Sequence, residues 1–120
     1  MDQDSKRIDE EYQAILEAEK RVQSLAKNAE IVKEYGVDIT ELLANVAAER
    51  EKVNKLHEKQ AEDFFLLSDS RMIDVLRMRY VEDRPWADIA DAINYSERRV
   101  KELRNMALKE IFQKRKNNAL

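Results

Sequence analysis

Residues 85–101 read Pro-Trp-Ala-Asp-Ile-Ala-Asp-Ala-Ile-Asn-Tyr-Ser-Glu-Arg-Arg-Val-Lys, and this stretch contains two helix-forming runs with a break between them. Its proline suits the first turn of a helix, because that position has no helical partner for a backbone N–H. Asn94 is the non-glycine residue best suited to a left-handed turn position, and Ser96 is a good helix N-cap. The sequence therefore predicts a short helix over residues 86–93, a tight turn, and a last helix over residues 97–116.

The last of these helices is expected to have one apolar face and one polar face. At about 100° per residue, Val100, Leu103, Ala107 and Ile111 fall together and can pack on the short helix before the turn. The polar side chains lie opposite or beside that face: Arg98, Glu102, Asn105, Lys109, Lys101, Arg99 and Arg104. Two short helices joined by a tight turn, the second one basic, are typical of a helix-turn-helix whose second helix enters the DNA major groove.

The charge of the chain is unevenly distributed along its 120 residues. The whole chain has 22 basic and 25 acidic side chains, a net charge of −3, which taken alone argues against a nucleic-acid partner. Residues 1–70 have 10 basic and 17 acidic side chains, whereas residues 96–116 have 8 basic and 3 acidic. Positive charge is thus concentrated on the last helix, and its modest size predicts weak autonomous DNA binding that a dimer would assist.

The outward-facing residue types of the last helix match the chemistry of DNA. Arginine can bind guanine through two hydrogen bonds, asparagine can bind adenine in the same way, and glutamate can accept from the cytosine amino group. Basic and hydroxyl side chains can instead contact phosphates, which positions a protein without specifying a sequence. The phosphate candidates are Ser96, Arg99, Arg104, Lys109, Lys114, Arg115 and Lys116. From periodicity alone, a charged solvent-facing surface of a helical bundle explains the same positions equally well.

The first half of the chain is predicted to form two long amphipathic helices. Apolar residues recur at spacings of three, four and seven over residues 5–35 and again from about residue 41 to residues 60–65, with Gly36 as a helix C-cap between them. We therefore expect an all-α fold, with an antiparallel helical hairpin over residues 1–66 and a helix-turn-helix bundle over residues 67–120. The heptad spacing of Ile8, Ile15, Val22 and Ala29 could equally form a coiled-coil seam between two chains, so both arrangements stay open.

The composition excludes most catalytic chemistry. The chain has no cysteine, one glycine and one histidine, so it has no disulfide, no thiolate metal site and no glycine-rich phosphate loop. We expect neither enzymatic activity nor a metal or other cofactor. No segment reaches the roughly 18 apolar residues of a membrane helix, and the first residues lack the features of a signal peptide. The sequence therefore predicts a cytoplasmic protein with no membrane partner.

Four short segments together resemble region 4 of the bacterial sigma factors. They read Leu-Arg-Met-Arg-Tyr-Val-Glu over 76–82, Trp-Ala-Asp-Ile-Ala over 86–90, Tyr-Ser-Glu-Arg-Arg-Val-Lys over 95–101, and Ala-Leu-Lys over 107–109. The resemblance covers about 44 residues and implies a DNA-binding helix-turn-helix, whereas nothing in the first 65 residues resembles sigma region 2. The tryptophan and the Asn-Tyr-Ser turn are more similar to small transcription regulators of phages and mobile elements, of the ArpU and RinA kind.

The resemblance also implies roles for individual residues and partners. In the family, the start of the last helix reads the −35 promoter element, and the preceding helices can dock on RNA polymerase. Carried over by position, the base-reading residues are Glu97, Arg98, Lys101 and Glu102, to which the face argument adds Asn105. The leading hypothesis is a homodimeric regulator that binds double-stranded DNA. The alternatives are a module that binds polymerase or a regulator without DNA, and a DNA-packaging subunit similar to a phage small terminase.

Overall fold

The computed structural model describes residues 1–118, which form α-helices and no strand. The all-α class predicted from the sequence is confirmed, and the bounds of the four helices delimited from the sequence agree with the observed ones to within a few residues. The helices are α1 (Gln3–Glu34), α2 (Thr40–Phe64), α3 (Ser70–Tyr80), α4 (Trp86–Ile93) and α5 (Glu97–Asn118).

The turn between α4 and α5 has the conformation that its residues predict. Asn94 adopts the left-handed region with φ 59° and ψ 45°, and so ends α4. The Ser96 hydroxyl oxygen accepts a hydrogen bond from the backbone N–H of Arg99 at 3.1 Å, which satisfies an otherwise unpaired donor of the first turn of α5. At the other end of α4, Pro85 lies at the N-cap, one position before the first helical residue.

Helices α1 and α2 form an antiparallel hairpin, with Gly36 in the left-handed region (φ 77°) at the turn. Tyr12 donates a hydrogen bond to Asp63 near the end of α2, whereas Glu19, further along α1, accepts from Arg50, which lies earlier in α2. The order of the contacts is reversed between the helices, which defines their antiparallel arrangement. The internal hairpin is therefore present in the chain, and a seam between two chains stays a prediction.

The apolar stripes of the hairpin are only partly buried. Leu25, Leu43 and Leu56 lie on the predicted stripes, yet they are 38%, 50% and 41% exposed. Their exposure has a simple cause, because this part of the hairpin is two helices thick and has only a small core of Ala18, Val22 and Val53. The hairpin within one chain therefore leaves these parts of the stripes uncovered.

The base of the hairpin and the C-terminal helices share one hydrophobic core. Side chains from all five helices meet there, so the predicted division between residues 66 and 67 falls at a turn beside a common core. Of the apolar run 64–67, Phe64 and Leu67 join this core, whereas Phe65 is 86% exposed. The largest fully buried members of this core are Ile8, Tyr12, Leu76, Tyr80, Ile89, Leu103, Leu108 and Ile111.

Two further features of the fold concern membranes and metal ions. Within the described chain, no helix combines the length and the apolar character that crossing a membrane requires. The same residues contain no group of three or more acidic or histidine side chains positioned to hold a metal ion.

Candidate nucleic-acid interface

Helix α5 is held against α4 by its apolar face, as the periodicity predicts. Val100 and Leu103 are buried in the main core together with Ile89 and Ala90 of α4. Because this face of α5 is covered, the opposite face of its first two turns points to solvent. The side chain of Arg98 is 90% exposed on that surface.

Four of the five base-reading candidates lie together on the first two turns of α5. Glu97, Arg98, Lys101 and Glu102 are all exposed there. Asn105 is only partly exposed; its side-chain oxygen accepts from Nε of Arg104 at 2.5 Å. The Asn105 backbone carbonyl accepts from the hydroxyl of Ser5 at 3.4 Å, so this part of α5 faces the start of α1. Four of the five base-reading candidates therefore form the exposed surface at the start of α5, and Asn105 is not part of it.

Glu102 pairs with both arginines of the first turn of α5. Its carboxylate oxygens lie 3.4 Å from Nε of Arg98 and 3.3 Å from Nη1 of Arg99. Exposed ion pairs of this kind contribute little to stability, about 0–1 kcal/mol, so the arginines can exchange this partner for another anion. In the free protein, however, Glu102 offsets part of the positive charge of the helix start.

Two of the three basic residues near the end of α5, Lys114 and Arg115, are bound to the rest of the protein. The Arg115 guanidinium donates to Glu11 at 2.8 and 3.0 Å, and to Asp63 through Nε at 3.0 Å and also through Nη2. Lys114 donates to the backbone carbonyl of Leu66 at 2.6 Å and pairs with Glu110 at 2.9 Å. These two phosphate candidates therefore connect α5 to the helical hairpin.

Three other phosphate candidates, Ser96, Lys109 and Lys116, are exposed. Ser96 uses its hydroxyl oxygen as the N-cap acceptor of α5, while its O–H stays available as a donor. Lys109 is exposed and lies 4.0 Å from the carboxylate of Asp2, and Lys116 is exposed near the end of α5. Hydrogen bonds from Ser5, the backbone N–H first, lower the pKa of Asp2 below its usual value, which keeps this carboxylate charged.

A group of three cations around Trp86 was not foreseen from the sequence. The distances to the centre of the indole ring are 4.3 Å from the guanidinium carbon of Arg79, 4.7 Å from that of Arg104, and 5.8 Å from Nζ of Lys101. We call these four residues the Trp86 cluster. None of its three cations forms an ion pair within residues 1–118, in contrast to Arg98 and Arg99.

The Trp86 cluster depends on the packing of three helices. Arg79 lies in the last turn of α3, where it also donates to the backbone carbonyl of Arg84 at 3.0 Å, and Trp86 is the first residue of α4. The three-residue spacing of Lys101 and Arg104 on α5 is visible in the sequence, but their proximity to α3 is not. The positive end of the α4 dipole adds to the potential of this cluster.

Two buried tyrosines position α1 beside this interface. The Tyr80 hydroxyl donates to Asp9, and burial, followed by this hydrogen bond, raises the pKa of Tyr80 above its ordinary value. Burial and the neighbouring Asp63 likewise raise the pKa of Tyr12. Both phenols therefore stay protonated and act as hydrogen-bond donors that join α1 to α3 and α2.

Comparison with protein-family models identifies the C-terminal part of the chain. Residues 69–113 match the family described as Sigma-70, region 4. The match begins at the N-cap of α3 and includes α4, the turn and most of α5, whereas the hairpin lies outside it. Neither the curated proteins nor the solved structures gave a significant match. A match of this type points to a DNA-binding helix-turn-helix regulator, and residues 69–113 are therefore a sigma-70 region 4-like helix-turn-helix.

Proposed function

We propose that this protein is a sequence-specific, DNA-binding transcription regulator that inserts the start of α5 into the major groove. The observation that carries the proposal is the sigma region 4-like helix-turn-helix, whose α5 presents Arg98 and Lys101 to solvent while its apolar face is buried. Exposed Glu97 and Glu102 supply acceptors for cytosine amino groups, so the target sequence need not be the usual −35 element.

The Trp86 cluster is the phosphate-binding part of this proposal. Arg79, Lys101 and Arg104 lie around one ring at the junction of α3, α4 and α5, and none of the three forms an ion pair with a carboxylate of residues 1–118. Confining three like charges in this way favours binding of an anion such as the DNA backbone. Phosphate contacts here would set the position of α5 in the groove, while its first-turn residues read the bases.

The proposal extends to assembly and cellular context. The hairpin exposes apolar side chains that include Leu25, Tyr35 and Leu43, and covering them with the same surface of a second copy supports a homodimer. The resemblance of the sequence supports a regulator of the phage or mobile-element type that acts in the cytoplasm and contacts RNA polymerase. The residue inventory supports a protein without catalytic activity.

A second candidate function is a module that binds polymerase or another regulator without binding DNA. It is favoured by the pairing of Glu102 with Arg98 and Arg99, which reduces the positive charge of the helix start. The first candidate function requires the basic side chains at the start of α5 for binding DNA, whereas the second does not require them for binding polymerase. Capture of polymerase by a variant in which Arg98, Arg99 and Lys101 are all replaced by alanine would favour the second candidate.

Selection of bound duplexes from a random DNA pool tests the first candidate. The wild-type protein is expected to enrich a defined sequence, and Arg98→Ala is expected to lose this enrichment. The matched control Arg21→Ala removes one exposed charge of the same sign from the hairpin and should enrich the wild-type sequence. Failure of the wild-type protein to enrich any sequence would contradict sequence-specific binding.

A further inference from the structure

Helix α1 has a second stripe of side chains, which α2 leaves largely uncovered. Val22 marks the side of α1 that packs against α2. At about 100° per residue, the second stripe lies roughly 40–140° around the helix from Val22. Its members recur at spacings of three and four residues: Ala14, Ala18, Arg21, Leu25, Asn28, Val32 and Tyr35. We call these seven residues the α1 stripe.

Most of the α1 stripe is accessible to solvent. Five of its members are exposed: Ala14, Arg21, Leu25, Asn28 and Tyr35. Val32 is half-buried, and Ala18 lies at the edge of the small hairpin core. The stripe contains no acidic side chain, although α1 is rich in aspartate and glutamate. An exposed surface with this spacing, sustained over three heptads, suits packing against another helix.

The side chains of the α1 stripe change in size from one end to the other. The stripe begins with Ala14 and Ala18, and it ends with Val32 and Tyr35. When two copies of the stripe run antiparallel, the small residues of each copy meet the large residues of the other. Protein interfaces pack well when large and small side chains alternate across the contact. A second copy of α1 in the antiparallel orientation therefore fits this surface.

The charge of the α1 stripe also disfavours the parallel orientation. Arg21 is its charged member, and in a parallel pair it would face the Arg21 of the other copy, which like-charge repulsion opposes. In an antiparallel pair with Leu25 near the two-fold axis, Arg21 instead approaches Asn28 of the other copy. The Asn28 side-chain oxygen can accept a hydrogen bond from a guanidinium.

We propose that the α1 stripe is a homodimer interface, in which α1 of one copy packs antiparallel against α1 of a second copy. Leu25 lies near the two-fold axis, and both copies use the same surface, as a two-fold interface requires. Ile8 and Tyr12 join the main core from the other flank of α1, so the helix-turn-helix does not block the stripe. The inference rests on the homodimer of the proposed function and names its surface, but it does not require DNA.

This dimer has its two helix-turn-helix units at opposite ends. Ser5 donates a hydrogen bond to α5 and precedes Leu25 by 20 positions. At a rise of about 1.5 Å per residue, the two copies of Ser5 therefore lie roughly 60 Å apart along α1. DNA half-sites one helical turn apart are separated by about 34–36 Å. The two copies of α5 are consequently expected to bind sites that are more than one turn apart.

Sedimentation of the DNA-free full chain tests the interface. The wild-type protein is expected to dimerise, and Leu25→Glu should raise the dissociation constant of the dimer at least about tenfold, because each copy loses an apolar contact at the axis. Gln23→Glu is the matched control, since it places the same residue on the opposite, exposed flank of α1. Its dissociation constant should stay within about threefold of the wild type. Circular dichroism checks that both variants keep their helix content.

Two results of this experiment would overturn the proposal. One is a wild-type protein that stays monomeric up to its solubility limit, and the other is an equal effect of Leu25→Glu and Gln23→Glu. Because these measurements contain no DNA, their outcome is separate from that of the DNA selection. A dimer that enriches no sequence would contradict the proposed DNA binding and would still support the α1 interface.

Spin labels determine the orientation of the two copies of α1. The chain has no cysteine, so Ser24→Cys and Glu34→Cys each provide one labelling position per chain. In the antiparallel dimer, labels at position 24 lie close together, whereas labels at position 34 are about 27 Å apart along α1. A parallel dimer would bring both pairs of labelled positions to about the 8–10 Å between helix axes. Short distances at both positions, or a long distance at position 24, would overturn the antiparallel interface.

Discussion

The guanidinium of Arg79 lies 4.3 Å from the centre of the Trp86 ring, although the two residues belong to different helices. Arg104 of α5 approaches the same ring to 4.7 Å. Each cation–π contact of this kind contributes about 0.5–1 kcal/mol at an exposed site. Trp86 therefore holds cations from α3 and α5 close together without neutralising their charge, which a carboxylate at the same place would do.

Replacing Trp86 tests whether this arrangement supports DNA binding. Trp86→Leu is expected to weaken binding of a labelled duplex about fivefold, equivalent to roughly 1 kcal/mol, because the arginines lose their common support. Trp86→Phe retains a smaller ring, so its affinity for the duplex should lie between those of Trp86→Leu and the wild type. Fluorescence anisotropy of the labelled DNA measures the affinity, and circular dichroism checks the helix content. Wild-type affinity of a folded Trp86→Leu protein would exclude this role.

Removing the carboxylate of Glu102 should strengthen the attraction of α5 for DNA. Glu102→Gln releases Arg98 and Arg99 from their ion pairs and removes one negative charge from the proposed surface. We expect several-fold tighter binding to a non-specific duplex at low salt. Glu110→Gln is the matched control, because Glu110 lies on the same helix but pairs with Lys114. Equal effects of the two substitutions in anisotropy titrations would indicate only a change in net charge.

Arg115 is expected to stabilise the folded protein because it connects α5 to the hairpin. Asp63 is only 5% exposed and accepts from both Arg115 and Tyr12. The hydrogen bonds that Arg115 donates to Asp63 and Glu11 raise the pKa of Arg115, so this cation is charged at every ordinary pH. Arg115→Met should lower the free energy of unfolding by about 2–3 kcal/mol, somewhat less than for a fully buried pair because Arg115 is partly exposed. Urea denaturation measures this change.

A companion variant separates the structural role of Arg115 from a phosphate contact. In the double variant D63N/R115M the buried charge is removed together with its partner, so part of the lost stability should return. If Arg115 also binds phosphate, both variants will reduce the salt dependence of DNA binding. A loss of less than about 0.5 kcal/mol in Arg115→Met would show that the ion cluster contributes little.

Asp69 makes the stability of the start of α3 dependent on pH. Hydrogen bonds from Arg71, the side chain first and then the backbone N–H, lower the pKa of Asp69 below its usual 3.8. Since the folded pKa is the lower one, this contribution is present above about pH 3.8 and is lost as the pH falls through the folded value. Asp69→Asn can still cap the helix but cannot titrate.

The Asp69 prediction is measured by thermal unfolding over a pH series. The melting temperature of Asp69→Asn should fall less steeply than that of the wild type between about pH 4 and pH 2. Asp91→Asn, at an exposed position of α4 without a capping role, is the control and should follow the wild-type curve. An equally steep fall of the melting temperature at low pH in Asp69→Asn and in the wild type would contradict the prediction.

The sequence predicts the helices well because their ends are determined locally. The left-handed conformation of Asn94 and the N-cap hydrogen bond of Ser96 follow from the residues themselves. The buried face of α5 follows from helical periodicity alone. By contrast, periodicity does not show how far a neighbouring helix extends, so it places Leu25 and Leu43 on the apolar stripes without indicating that both are exposed.

The candidate site could be predicted only in part for a related reason. The exposed base-reading candidates at the start of α5 follow from the helical face, but Asn105 approaches the start of α1 through a contact between residues far apart in sequence. The same limit applies to Arg115, whose partners Glu11 and Asp63 come from both helices of the hairpin. Arg79 joins the Trp86 cluster through helix packing that residue type and spacing do not encode.

The salt dependence of DNA binding tests the central claim most directly. For the wild-type protein, the logarithm of the binding constant should fall linearly with the logarithm of the salt concentration. Lys101→Ala and Arg104→Ala should each reduce that slope by about 0.9, the value expected for one phosphate contact. Lys27→Ala, an exposed position on the hairpin, should leave it unchanged. No DNA binding at low salt, or the same slope in all four proteins, would contradict the proposed interface.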